Sequence, residues 1–138
     1  MQRTGLRIRG AGAPPAVRGA VIRYARWLRE NYQFPIRVPV YLIPSETIDM
    51  GDGERSVSCF FAAKERSIEP YALIATGDYR KLLRAWGRDN CLASYLLSLS
   101  RQVVRYHRWV ETGNCRDPRI AKKAKAMIDA YALTVDHP

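Results

Sequence analysis

The chain has 138 residues, which is enough for one domain with its own hydrophobic core and too few for two. Hydrophobic residues make up 47% of it, which excludes wholesale disorder, and no apolar run approaches the length of a membrane span. The 23 Lys and Arg against 13 Asp and Glu give a formal net charge of +10, which predicts attraction to polyanions without specifying one. Three cysteines without paired spacing (Cys59, Cys91 and Cys115) indicate free thiols, and we therefore expect a cytoplasmic location.

The N-terminal part of the chain predicts an arm followed by a helix. Residues 1–13 are rich in Gly and Arg, and we expect them to form a flexible basic arm ahead of a single domain over residues 14–138. The helix is predicted to begin at Pro15, because proline is tolerated in the first turn, and to end before Pro35. Its apolar residues recur at three- and four-residue spacing, as expected for one buried face: Val17, Val21, Tyr24, Leu28 and Tyr32.

Three short runs rich in β-branched and aromatic residues predict strands: RVPVYLIP (37–44), SVSCFFA (56–62) and PYALIAT (70–76). The acidic segment Glu46–Glu54 lies between the first two runs. Its acids do not have the spacing of an EF-hand, so we expect a solvated loop there and no calcium site. The three strands are predicted to form a small antiparallel sheet.

The second half of the chain predicts three helices. Asp78 is expected to cap a short helix that Gly87 ends, and a long helix follows from about Asp89 to Thr112. Asp117–Pro118 then begins a last helix. The order of elements predicts an α+β fold, in which a three-stranded sheet packs against an N-terminal helix, a long central helix and a C-terminal helix.

The long central helix carries an apolar stripe and an opposing polar face. The stripe is expected to be core, because its members alternate spacings of four and three: Leu92, Leu96, Leu99, Val103, Tyr106 and Val110. The opposite face carries Arg101, Arg105 and Arg108, and it is either a solvated surface or the border of a cleft in which the arginines meet an anion. Leu97 and Val104 flank this polar face and make it narrower than the polar face of a fully exposed helix. This favours partial burial of the face.

Pro70 to Trp109 resembles part of the minimal zincin (gluzincin-like) metalloprotease domains. The resemblance extends from EPYALIATGDY through GRDNCLASYLLSLSRQVVRYHRW to the last helix. In that family, a strand that ends in a Gly-Asp turn precedes the active helix, which carries HExxH followed by an aromatic residue and a Trp. The resemblance implies a zincin-like architecture for most of the chain. The five-residue block itself reads RQVVR, residues 101–105, in place of HExxH.

Carried over by position, the resemblance places the first histidine ligand at Arg101, the general-base glutamate at Gln102 and the second histidine ligand at Arg105. A guanidinium stays protonated and repels a dication, and an amide cannot accept a proton from water. The family's third ligand, a glutamate on the following helix, has no counterpart, since that helix offers three lysines and, as its carboxylate, Asp129. The resemblance therefore implies a zincin-like domain with no catalytic residues, no metal and no cofactor.

The expected function is that of a basic binding or structural module. Arg101, Gln102, Arg105 and Arg108 are predicted to form an anion-binding patch for an acidic protein or peptide. A competing interpretation is that an internal acid, such as one of the Glu46–Glu54 loop, neutralises Arg101 and Arg105 and nothing external binds.

Two other classes of function stay open. One is a metal-dependent peptidase with substitute ligands. The other is a nucleic-acid-binding protein, because aromatic residues that alternate with arginines could stack on bases, although such aromatics more often belong to the core. These aromatic residues are Tyr24, Trp27, Tyr106 and Trp109.

Overall fold

A computed structural model describes residues 2–138, which fold into four helices and six strands. The helices are α1 (Pro15–Asn31), α2 (Tyr79–Trp86), α3 (Arg88–Thr112) and α4 (Ile120–Ala132). The strands are β1 (Leu6–Arg9), β2 (Val38–Ile43), β3 (Ile48–Asp49), β4 (Arg55–Ser56), β5 (Ser58–Phe61) and β6 (Tyr71–Ala75). Four strands form one sheet in the order β1-β2-β6-β5, and β3 and β4 form a separate two-stranded ribbon. The predicted α+β class is confirmed.

The sheet is mixed, so the antiparallel arrangement predicted from the sequence is wrong. Strand β1 pairs with β2, and β2 pairs with β6, in parallel, whereas β5 and β6 are antiparallel. The connections explain the difference. Helix α1 separates β1 from β2, and the segment from β3 to β5 separates β2 from β6; long crossovers of this kind bring parallel strands side by side. The three predicted strands are present as β2, β5 and β6.

The fourth strand of the sheet lies in the segment that was expected to be a flexible arm, and for residues 6–9 that expectation is wrong. Leu6 is completely buried and lies opposite Val38, and Ile8 lies opposite Val40. The cause is the period-two pattern of LRIR, which directs the two aliphatic side chains toward the core and the two arginines away from it. The chain therefore enters the domain before residue 14.

The helices begin and end close to the predicted positions. Helix α1 starts at Pro15, and α3 is followed by Gly113, whose φ of 78° is the left-handed conformation that commonly terminates helices. Asp78 precedes α2, but its side chain caps no N–H group in the described chain; its Oδ1 instead accepts a hydrogen bond from the Tyr95 hydroxyl at 2.7 Å. Within residues 2–138, no helix has the length and apolar character needed to cross a membrane.

The main core lies between the sheet and the helices, with α3 at its centre. Helix α3 packs against α1, α4 and the strands β5 and β6. The predicted stripe of α3 is confirmed as core, since Leu99 is completely buried and Val103 is 2% exposed. The three cysteines are free thiols, as predicted, and two of them, Cys59 and Cys91, are buried.

The outer face of the sheet, opposite the helices, is covered at one end. Ile48 of the β3–β4 ribbon packs there against Cys59 and Ala75 in a small second cluster. Toward the other end, Tyr41 and Tyr71 lie on the same face and remain exposed. The sheet therefore has one face built into the core and one face that is covered at one end and exposed at Tyr41 and Tyr71.

Candidate functional site

The polar face of α3 lies between strand β5 and helix α4. Arg101, Arg105 and Arg108 project from this face, and all three are half-buried. On one side, Gln102 contacts Ser58 of β5. On the other side, Arg108 lines a cavity together with residues of α4. We call the surface formed by Arg101, Arg105 and Arg108 the α3 arginine face.

Gln102 connects the α3 arginine face to the edge of the sheet. The residue is 2% exposed, and its Nε2 donates a hydrogen bond to the Ser58 hydroxyl at 2.7 Å. Its Oε1 accepts a hydrogen bond from the Arg105 guanidinium at 2.9 Å. Because both ends of the amide are used, Gln102 holds Arg105 in a defined orientation.

Two further hydrogen bonds fix α3 against the rest of the domain. The indole of Trp109 donates to the carbonyl oxygen of Ala63, just after β5, at 2.8 Å. The hydroxyl of Tyr106 donates to the carbonyl oxygen of Ile36 and accepts from the amide of the same residue. The arginines therefore project from a helix that is held rigidly, and a ligand would not have to order it.

The arginines of this face have no acidic partner inside the described part of the molecule. The ion pairs within 4.0 Å among residues 2–138 involve other side chains, so Arg101, Arg105 and Arg108 are without a carboxylate at that distance. In the Glu46–Glu54 segment, Asp49 accepts a hydrogen bond from the amide of Gly51. The acids of this loop therefore form no ion pair with the three arginines within the described residues.

The predicted site residues divide between two neighbouring environments. Arg105 and Gln102 face β5, whereas Arg108 lines a cavity of about 330 Å³ between α3 and α4. This cavity carries groups of both signs, because Lys123, Glu111 and Asp117 line it together with Arg108. Arg101 and Arg105 are not among its lining residues.

Asp117, which lies just before α4, already has hydrogen-bonding partners within the chain. Lys123 donates to its Oδ2 at 2.6 Å, and the amide of Arg119 donates to its Oδ1 at 2.8 Å. The hydrogen bond from Lys123, followed by that from the Arg119 amide, lowers the pKa of Asp117 below its usual value. Asp117 is therefore a carboxylate paired with Lys123, and the charge of Arg108 contributes in a smaller degree to its lowered pKa.

The residues at the positions that the resemblance assigns to metal ligands do not fit zinc. Both histidine positions hold guanidinium groups, those of Arg101 and Arg105. Gln102, at the position of the general base, accepts a hydrogen bond from Arg105 with its amide oxygen. The carboxylate of α4, Asp129, is 61% exposed and forms a salt bridge with Lys125 at 2.7 Å. Among residues 2–138 there is also no group of three His, Cys, Asp or Glu side chains placed to hold a metal ion.

The aromatic residues considered for base stacking belong mainly to the core. Tyr24, Tyr106 and Trp109 are between 0% and 1% exposed, so that interpretation is wrong for these three rings. Trp27 is half-buried and packs within 6.1 Å of the rings of Tyr24, Tyr32 and Tyr131, measured between centroids. The exposed pair of aromatic residues, Tyr41 and Tyr71, lies instead on the outer face of the sheet.

Sequence reasoning missed Ser58, the partner of Gln102. The signal was present in the strand SVSCFFA, where a serine occupies an inward position between apolar neighbours. A buried hydroxyl on a strand needs a hydrogen-bonding partner, and the polar face of α3 was the nearest source of one.

Comparison of the chain with models of protein families, with curated proteins and with solved structures gives no significant match.

Proposed function

We propose that the chain is a catalytically inactive zincin-like domain that binds an acidic protein or peptide through the α3 arginine face. The observation that carries this proposal is the presence of three half-buried arginine residues on one helix face, with no carboxylate within 4.0 Å of their guanidinium groups in residues 2–138. A carboxylate from a partner would form charge-assisted hydrogen bonds with these groups.

The absence of hydrolytic activity is part of the proposal. In a metalloprotease of the family that the chain resembles, the residue at position 102 would take a proton from water. The amide of Gln102 has no such capacity, and both of its ends are already engaged, with Ser58 and with Arg105. Arg101 and Arg105 carry the charge that repels a cation and attracts an anion.

The geometry favours one carboxylate shared between two arginines. Arg101 and Arg105 are one helical turn apart, a spacing that separates their Cβ atoms by about 5–6 Å. Like charges at this spacing repel, and a carboxylate between them relieves the repulsion. Gln102 orients Arg105 in advance, which lowers the entropic cost of binding.

The cavity beside the face favours a peptide over a nucleic acid as the ligand. Glu111 and Asp117 lie there with Arg108. The evenly spaced phosphates of a nucleic acid would meet these acids, which oppose a second negative charge. A peptide can place one carboxylate on Arg101 and Arg105 and neutral side chains near the two acids.

A peptide-binding experiment tests the proposal. The Arg101→Ala/Arg105→Ala variant and the wild type are titrated with a fluorescein-labelled peptide rich in glutamate, and fluorescence anisotropy is followed over a series of salt concentrations. We expect the double variant to bind at least about tenfold more weakly, because a hydrogen bond to a charged group contributes roughly 1.5–3 kcal/mol. The dependence of affinity on salt should also become less steep.

The matched control is Arg18→Ala/Arg26→Ala, which removes the same charge from exposed positions of α1. This control should bind close to the wild type, and thermal unfolding checks that both variants are folded. Equal loss of affinity in the two double variants would mean that net charge alone attracts the peptide. Unchanged affinity in the Arg101→Ala/Arg105→Ala variant would exclude the α3 arginine face as the site.

A further inference from the structure

The outer face of the sheet carries a row of aromatic rings that crosses three strands. Tyr41 on β2 and Tyr71 on β6 are 41% and 40% exposed, and their ring centroids lie 6.3 Å apart in an edge-on arrangement. Phe61 on β5 is half-buried and stacks on Tyr71, with centroids 5.0 Å apart and planes 30° apart. We call Tyr41, Tyr71 and Phe61 the outer aromatic row.

Two arginines of β1 stand on the same face as this row. In the parallel pairing of β1 with β2, Arg7 lies opposite Pro39 and Arg9 lies opposite Tyr41, and paired residues project from the same face of a sheet. Both arginines are exposed, and neither forms an ion pair within the described residues. The rings are thus bordered on the β1 side by two free positive charges.

The acids near this face do not cancel that charge. Glu69, which precedes Tyr71, already forms salt bridges with Arg37 at 2.8 Å and with Arg3 at 3.3 Å. Glu65 is exposed in the turn between β5 and β6, where Lys64 and Arg66 flank it in sequence. The acids of the Glu46–Glu54 segment lie around the β3–β4 ribbon, which covers the opposite end of the sheet at Ala75. The surface between these two ends is aromatic and positively charged.

We propose that the outer aromatic row, with Arg7 and Arg9, binds single-stranded nucleic acid. Exposed aromatic rings can stack on the faces of bases, which are accessible in a single strand and covered in a duplex. The two arginines would contact phosphates beside the stacked bases. A second copy of the chain is a poor occupant, because it would bring two basic edges together, and an acidic peptide would leave the exposed rings without a counterpart.

This surface is separate from the α3 arginine face. The outer aromatic row lies on the side of the sheet away from the helices, whereas Gln102, which binds Arg105, contacts Ser58 of β5 from the helical side. The two proposals therefore depend on different residues and can be tested separately. The Arg101→Ala/Arg105→Ala variant should retain the difference between single-stranded and duplex nucleic acid that the wild type shows.

The test measures binding of a fluorescein-labelled oligothymidylate of about 12 nucleotides, within the usual site size for single-strand binding. Tyr41→Leu and Tyr71→Leu should each weaken binding about fivefold or more, because stacking on an aromatic ring contributes roughly 1–3 kcal/mol per base. Tyr41→Phe and Tyr71→Phe keep the ring and should bind like the wild type. Trp86→Leu, which removes a ring that is 52% exposed on α2, is the control for unspecific aromatic contact.

The two arginines are tested by the salt dependence of the same titration. Arg7→Gln/Arg9→Gln should reduce the slope of log affinity against log salt by about 1.4, since each phosphate contact with a single strand contributes roughly 0.7. The control Arg18→Gln/Arg26→Gln on α1 should leave the slope nearly unchanged.

Several results would overturn the proposal. A duplex of the same length that binds as tightly as the single strand at the same salt concentration would show that the phosphates alone are recognised. Leucine variants that are folded and bind like the wild type would remove the stacking role of the tyrosines. Binding to phosphatidylserine vesicles that depends on the two tyrosines, with oligothymidylate binding independent of them, would assign the face to a lipid surface instead.

Discussion

His107 is held as a neutral ring by its surroundings. Its Nε2 lies 2.8 Å from the carbonyl oxygen of Gln33, so the neutral tautomer donates a hydrogen bond there. The rings of Tyr32, Phe34 and Tyr106 lie within 5.8 Å of it, measured between centroids. Burial among these rings lowers the pKa of His107 below 6.5, and the hydrogen bond to Gln33 and the charge of Glu111 offset this only in part.

The lowered pKa of His107 predicts that acidification destabilises the fold. As pH falls through about 6.5, the unfolded chain takes up a proton at this histidine before the folded chain does. The free energy of unfolding should therefore decrease between about pH 7 and the lower, folded-state pKa, and change no further on account of this group below it. Thermal unfolding of the wild type and of His107→Gln, which keeps a hydrogen-bond donor, measures the effect.

The glutamine variant should lose part of the decrease in melting temperature that the wild type shows on acidification from about pH 7.5 to about pH 5.5. Both proteins retain His137, so the difference between them reports on His107. Identical pH dependence in the two proteins would contradict the prediction.

At the candidate site, the sequence could identify the residues on the polar face but not their partners. Arg101, Arg105 and Arg108 share a face because of helical spacing, which is a local property. The burial of Gln102 depends on Ser58, which is 44 positions away in the chain. The position of Arg108 beside Lys123 depends on how α4 packs, and no pattern within α3 contains that information.

Helix α3 is the element on which the rest of the domain is assembled. It is in contact with the sheet and with the three other helices, and its polar side carries the arginines. Leu99 lies on the buried side and lines a small cavity together with Leu6, Val38 and Ala72 of the sheet. A change at this position therefore affects the packing of α3 against three strands, β1, β2 and β6.

Replacing Leu99 with Ala should destabilise the domain by about 2–5 kcal/mol, because the removed side chain is completely buried and its neighbours can fill the space only partly. Urea unfolding of the purified variant measures the change. Leu133→Ala is the control: Leu133 is 90% exposed after α4, and its replacement should change stability by less than about 0.5 kcal/mol. A loss of under about 1 kcal/mol for Leu99→Ala would contradict the packing described.

The elements with strong periodicity were predictable, and the strand pairing was not. The four-and-three spacing in α3 determines its buried side whatever lies opposite, so the prediction of a core stripe through Leu99 and Val103 is confirmed. The alternation of Leu6 and Ile8 with arginines was also visible in the sequence, but a strand of four residues between two glycines gives a weak signal. Whether strands pair in parallel depends on their connections and not on their own residues.

The basic charge of the whole molecule includes groups on opposite sides of the sheet. One is the α3 arginine face, between β5 and α4, and the other consists of Arg7 and Arg9 on the outer face. A net charge of +10 raises the rate at which anionic partners meet either surface. Which partner remains bound is decided by the local chemistry of each surface.

The zincin-like arrangement stays a prediction, because its distinguishing motif is the part that the chain has replaced. Restoring the motif with Arg101→His, Gln102→Glu and Arg105→His should still give a protein that retains no stoichiometric zinc after dialysis. The reason is that a third ligand is missing: Asp129 on α4 is exposed and bound to Lys125. Metal analysis by mass spectrometry on untagged wild type and triple variant measures the result.

In the same experiment, circular dichroism confirms that the triple variant is folded. A content of about one zinc per chain in the variant would show that a third ligand exists nearby. Zinc at that level in the wild type, together with peptidase activity that a chelator abolishes, would instead support a peptidase with substitute ligands and contradict the proposed loss of activity.

The central position of β6 has a consequence for how the sheet is assembled during synthesis. Strand β6 is the last strand in the chain, yet it lies between β2 and β5. As the chain emerges from its N-terminus, β1, α1 and β2 can associate early, but the second edge of Val38–Ile43 has no neighbour until residue 75 has been made. An unpaired apolar edge is open to strands of other chains. The yield of correctly folded protein should therefore fall as the time between the synthesis of β2 and that of β6 increases.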